Sequence, residues 1–139
     1  MEKISELTAF LPLLEDPGFK AGEMIIDNAA GAEIRQWPYV VYGPVVESFI
    51  EAAYQNNWVL TGFDWHTWGQ SERAIQLRDE ESALEHASAD ELCYLLTVLI
   101  RQDRFIEGSL LKTFDSGLML RIVRRARALA DNKPHSEAI

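Results

Sequence analysis

Residues 88–100 read Ser-Ala-Asp-Glu-Leu-Cys-Tyr-Leu-Leu-Thr-Val-Leu-Ile, and they constrain the fold more than any other stretch. Ser88 followed three residues later by Glu91 forms a capping box. The serine oxygen takes the Glu91 amide and the glutamate reaches back to the Ser88 amide. A helix therefore starts here. It continues through Leu92, Leu95, Leu96, Val98, Leu99 and Ile100, apolar nearly all round its circumference. Such a helix has no face to show to water and must be enclosed. The rest of the chain is expected to wrap around it. The run turns polar abruptly at Arg101-Gln102-Asp103-Arg104.

The remaining segments supply wrapping elements. Ile4, Leu7, Phe10, Leu11 and Leu14 keep helical spacing over residues 4–14. Pro12 weakens the last turn and Asp16-Pro17-Gly18 ends it. Residues 18–37 carry three glycines and read as loop, with a short strand at Met24–Ile26. Trp37 to Tyr42 is aromatic and β-branched, hence extended. Gly43-Pro44 opens a helix with proline at its first position. Val45, Val46, Phe49, Ile50, Ala53 and Tyr54 form its apolar face, and Asn56-Asn57 stop it. Trp58-Val59-Leu60 is a short apolar link. A helix from about Thr67 to Leu77 and a short acidic helix within Asp79–Glu85 follow. Beyond the central helix, Ser109–Phe114 is helical and Gly117 is a terminator or hinge. Leu118 to Ala130 is the last helix, with Leu118, Ile122, Val123 and Leu129 inward. Residues from about 132 form a polar, frayed tail. The expectation is a mainly α fold: a compact, single-domain bundle of five to six helices, with at most short extended segments.

With 139 residues, 47% of them hydrophobic, the chain is long enough to bury a core without staples. Its one cysteine, Cys93, lies in the apolar run and packs as a small hydrophobe. The first residues lack the pattern of a secretory signal. No apolar run approaches the roughly 20 residues of a membrane span. A soluble, cytoplasmic location is expected, with no membrane partner. The net charge is −9, unevenly placed: residues 1–91 hold 17 acids and 5 bases, residues 92–139 hold 5 acids and 8 bases. Direct nucleic-acid binding is not expected of a net acidic chain. The two halves can attract each other within one fold or across a homodimer.

Phosphate loops, dinucleotide fingerprints, nucleophile elbows and paired-cysteine spacings are absent. The three histidines, His66, His86 and His135, are not at ligand spacing. No metal and no cofactor is implied. Two constellations remain. In Phe63-Asp64-Trp65-His66-Thr67-Trp68, Asp64 either caps a helix while both tryptophans plug the core, or stands as a carboxylate in an aromatic wall. In Arg101-Gln102-Asp103-Arg104-Phe105-Ile106-Glu107-Gly108, the charges either form an ion-pair knot or provide two guanidiniums for an anion. A third feature, the arginines 121, 124, 125 and 127 of the last helix, has a ready partner in the acidic segment 79–91, with six acids and no base.

These segments together look like a family of small prokaryotic proteins of unknown function. The resemblance rests on Trp37–Tyr42, on an FDW-x-x-W segment at Phe63–Trp68, on an R-x-[DE]-RF-x-x-G segment at Arg101–Gly108, and on the Gly117–Arg125 stretch. It runs from about Glu15 to Leu129. Ile106 departs from it, standing where relatives are expected to have cysteine, so a cysteine there is not a required nucleophile in this chain. The resemblance implies one compact domain and no particular activity.

The expected function is a non-enzymatic binding or regulatory module for an unknown protein or anionic small molecule. Its candidate patch comprises Tyr42, Phe63, Asp64, Trp65, Trp68, Arg101, Asp103, Arg104 and Glu107. One alternative is a small hydrolase or transferase for an anionic substrate, with Asp64, His66 or Glu107 as acid or base and Arg101 with Arg104 as anion holders. Another is an acidic mimic that occupies a nucleic-acid-binding partner.

Overall fold

We describe the fold from a computed structural model covering residues 2–25 and 39–137, with side chains for residues 4–25 and 39–131. The expected central helix is α7, Ala89–Gln102, in the numbering set out below. Both halves of its capping box are formed: the Glu91 amide donates to Ser88 Oγ at 3.1 Å and the Ser88 amide to Glu91 Oε1 at 3.0 Å. Leu92, Cys93 and every residue from Leu95 to Ile100 are buried, leaving Tyr94 half-buried between them.

The other elements surround it. They are α1 (Glu2–Thr8), α2 (Leu11–Glu15), β1 (Gly22–Ile25), β2 (Tyr39–Tyr42), α3 (Pro44–Gln55), α4 (Trp65–Gly69), α5 (Glu72–Asp79), α6 (Glu81–Leu84), α8 (Ser109–Asp115) and α9 (Leu118–Glu137). The architecture is mainly helical, with nine helices among the described residues rather than five or six. Two splits account for part of the excess. Residues 4–14 do not make one helix, because Pro12 has no N–H to give Thr8. The chain restarts with Pro12 in the first turn of α2, where that donor is not needed. Ile4, Leu7, Leu11 and Leu14 stay buried across the break. The expected helix over 67–77 divides at Ser71, whose Oγ accepts the Ala74 amide at 3.2 Å and caps α5.

The two strands pair antiparallel, Gly22 opposite Tyr42 and Ile25 opposite Tyr39. The strand expected at Met24–Ile26 thus begins two residues earlier, and the stretch 26–38, which includes Trp37 and Pro38, lies outside the described residues. α9 runs on to Glu137, not to Ala130. A polar composition does not by itself stop a helix already nucleated, and this one continues through Pro134, which adds no hydrogen bond of its own.

The core joins the layers through aromatic rings. Phe49 of α3 meets Phe10 edge-on at 5.3 Å and Phe114 of α8 at 5.7 Å. Trp58 is fully buried in the link after α3. Thr97, buried in the middle of α7, stitches that link down: its hydroxyl accepts the Leu60 amide at 2.9 Å and donates to Cys93 O at 2.7 Å. Part of the charge asymmetry is met within the fold: Arg124 pairs with Glu15 at 2.9 Å, and Glu81 and Glu85 share a cleft with Arg121, Arg124 and Arg125. Within the first half, Arg73 forks onto Glu91. No described helix is long and apolar enough to cross a membrane.

Glu91 carries two duties, the cap and the Arg73 pair. The Arg73 hydrogen bond, helped by Ser88, holds its carboxyl below the usual glutamate range. Its folded pKa lies below the unfolded one, so the stability it contributes is complete above about pH 4.3 and is lost as pH falls through the folded value. Glu91→Ala is expected to lower unfolding stability by about 1–3 kcal/mol near neutral pH. Denaturant titrations from pH 7 to pH 3 should show the difference between variant and parent shrinking below about pH 4.3.

Candidate functional site

The site is built where α7 leaves the core. The turn after Gln102 closes on Gly108, whose φ of +85° is a left-handed conformation that glycine adopts without penalty. A Cβ there would also approach Met24 Cε to 3.1 Å, so the strands press directly on this turn. Gly108 brings no side chain to cap α8, and the N-terminal amides of that helix need acceptors. Asp103 supplies one: its Oδ1 accepts the Leu110 amide at 3.0 Å and the Tyr42 hydroxyl at 2.9 Å. Tyr42 Oη in turn accepts the Leu111 amide at 3.1 Å. Burial first, and then the Asp103 carboxylate, push the phenol far above its ordinary pKa, so it remains a neutral donor. Glu107 Oε2 accepts the Val40 amide at 2.8 Å and ties β2 to the same turn.

The ion-pair knot expected here does not form among the described residues. Asp103 and Glu107 are occupied by O–H and backbone N–H donors, because an uncapped helix start and a strand amide cannot be left without acceptors. Arg101 instead lies against the link after α3: its Nη2 donates to Leu60 O at 3.4 Å, and its Nε is buried with no partner among the described residues. Arg104 is exposed.

The FDW segment arrives from the other side. Asp64 caps α4, accepting the Thr67 amide at 3.2 Å, and the Thr67 hydrogen bonds hold its exposed carboxyl below the usual range. The tryptophans do not plug the core. Trp68 leans on it from a half-buried position, in a cluster with Phe63 and Tyr94 whose Phe63–Tyr94 rings stack at 4.7 Å. Trp65 stays near the surface and stacks on Phe105 at 6.1 Å, with 27° between the ring planes. This pair joins the two sequence constellations. α4 can lie this close because Gly69 faces Val98 of α7, where a Cβ would come within 3.2 Å.

Between the two segments lies a groove of about 690 Å³. α4 and the residue after it line one wall with Trp65, His66, Gly69 and Gln70. Arg78, Val98 and Gln102 line the floor and far side, and Phe105 and Ile106 form the lip. Phe105 is 77% exposed and Ile106 55%. Of the nine residues expected in the patch, Trp65 lines this groove, while Tyr42, Asp103 and Glu107 hold the turn beneath it. Phe63 and Trp68 buttress α4. Phe105 and Ile106 were not among the nine; two adjacent apolar residues placed at the polar exit of a buried helix were the signal. Among the described residues no group of three His, Cys, Asp or Glu side chains is arranged to hold a metal ion.

The model of a family of unknown function, DUF6508, matches residues 1–132, a span that includes both the FDW and the RQDRF segments. The chain belongs to the DUF6508 family. No curated protein and no solved structure matches this DUF6508 chain.

Tyr42→Phe removes the acceptor of the Leu111 amide and a donor to Asp103 while keeping the ring. It is expected to cost about 1–3 kcal/mol of stability by leaving a part-buried amide without a partner. Thermal unfolding of the variant checks this, and a midpoint equal to that of the parent contradicts the bridging role of the hydroxyl.

Proposed function

We propose that this DUF6508 chain is a non-catalytic binding module whose site is the groove between α4 and the exit of α7. The observation that carries this reading is the exposure of Phe105 beside Ile106 at the lip of a groove walled by Trp65. Burying an apolar side chain of this size is worth roughly 1.5–3 kcal/mol, and the fold leaves this gain unused on two neighbouring residues. Aromatic rings on a rigid base are the usual anchors of recognition sites. Here the base is rigid because the Asp103, Tyr42 and Glu107 contacts fix the turn on which Phe105 stands. His66, Gln70 and Gln102 supply polar contacts along the walls.

The hydrolase alternative is less well supported. Asp64 is an exposed cap whose lowered pKa makes it a poor proton donor, and Glu107 is committed to a strand amide. Arg101 gives its Nη2 to the Leu60 carbonyl and is not among the residues lining the groove.

A display library of random 12-residue peptides, selected against the intact chain, tests the proposal. Enriched sequences are expected to lose at least tenfold in affinity against Phe105→Ala, whose unfolding midpoint should stay near that of the parent because the ring is mostly in water. No enrichment, or equal binding by the variant, overturns the assignment.

A further inference from the structure

The groove does not end at Ile106. A second hollow of about 480 Å³ adjoins it, and the two share Arg78, Gln102 and Ile106 as lining. The second hollow passes over the start of α8 toward the start of α9. Its charged lining is Arg78, Lys112 and Arg121, set against the single acid Asp79. None of these three cations forms an ion pair among the described residues; the recorded pairs use Lys20, Arg73, Arg124 and Arg127 instead. Arg121 gives its Nε to Gly117 O at 3.5 Å, which holds the side chain at the edge of the hollow.

In a chain with net charge −9, three unpaired cations along one trough are a local reversal of sign. The reversal is also bounded. Past Arg121 the next cleft sets Glu81 and Glu85 against Arg121, Arg124 and Arg125, and Arg124 is paired with Glu15, so the positive charge weakens there. At the opposite end Trp65, Phe105, Val98 and Ile106 form the apolar part of the lining, beside the uncharged Gln70 and Gln102 and His66. The trough therefore has two unlike ends, one suited to an apolar anchor and the other to negative charge. The two hollows together are larger than a compact metabolite fills, which favours a ligand with length.

We propose that the ligand of this groove is an acidic peptide segment of a partner protein, seated with an apolar anchor against Trp65 and Phe105 and its carboxylates over Arg78, Lys112 and Arg121. This rests on the groove being the binding site, as proposed above. The cations steer the segment in and fix its direction, and the aromatic lip holds it. The net charge of −9 disfavours acidic chains over the surface as a whole, so attraction centres on the trough.

Three fluorescein-labelled 12-residue peptides test it, each with a Trp-Leu anchor followed by four Glu, four Gln or four Lys, measured by anisotropy on the intact chain. The Glu peptide is expected to bind at least tenfold tighter than the Gln peptide at 50 mM salt, with the Lys peptide weakest. The gap should close at 500 mM salt as screening removes the charge contribution. Lys112→Glu combined with Arg121→Glu should abolish the preference. Since Arg121 is part-buried, Lys112→Glu alone, at an exposed position, should reduce it severalfold in a chain that still unfolds cooperatively. Equal binding of the Glu and Gln peptides with sensitivity to Phe105→Ala overturns the charge inference and leaves the groove standing. No binding by any of the three overturns both.

Discussion

A helix whose residues from Leu95 to Ile100 are all buried cannot be finished by its own sequence; the rest of the chain has to finish it. That constraint orders the structure. α4, α8 and α9 pack directly on α7, and the Trp58–Leu60 link is pinned to it by Thr97. It also creates a problem at the helix's end. The backbone leaves the core through a turn whose amides at Arg104, Phe105 and Ile106 bond back to Arg101 and Gln102, while the next helix starts at a glycine that brings no cap. The solution is borrowed from a distant strand: Tyr42 and Asp103 share the α8 amides between them, and Glu107 holds β2 in return.

That solution separates two roles that the sequence runs together. The carboxylates of the Arg101–Gly108 segment belong to the architecture, while its two apolar residues face outward. Had Asp103 and Glu107 paired with Arg101 and Arg104, the turn would be held by long, entropically costly side chains. Backbone amides anchored in a helix and a strand are already ordered, so the carboxylates gain more from them. The turn that results is stiff, and a stiff turn can present Phe105 to solvent without letting it collapse onto the core.

Much of the fold was legible because its signals are local. The Ser88–Glu91 box, Gly43-Pro44 at the start of α3, Asn56-Asn57 at its end and Gly117 before α9 each act within a few residues. The two splits were harder, because apolar periodicity survives them. Leu7 and Leu11 remain in phase across the α1–α2 break, and Ala74 and Leu77 remain inward after the Ser71 cap. Asp64 was readable as a cap. The fate of Trp65 was not, since it depends on Phe105, forty residues away, and on the absence of a Cβ at Gly69. The pairing of Asp103 with Tyr42 was hidden for the same reason: a carboxylate next to two arginines suggests its neighbours as partners, and only the tertiary fold brings a tyrosine closer. The groove follows from where α4 crosses α7, which no local pattern encodes.

Residue-resolved hydrogen exchange under native conditions tests the central claim most directly. If α7 is the enclosed axis, the amides of Leu95 to Ile100 should exchange only through global unfolding and be the slowest in the chain, while the amides of the Phe105–Glu107 lip exchange sooner. Exchange of α7 through smaller openings, with α3 or α9 protected for longer, would contradict it.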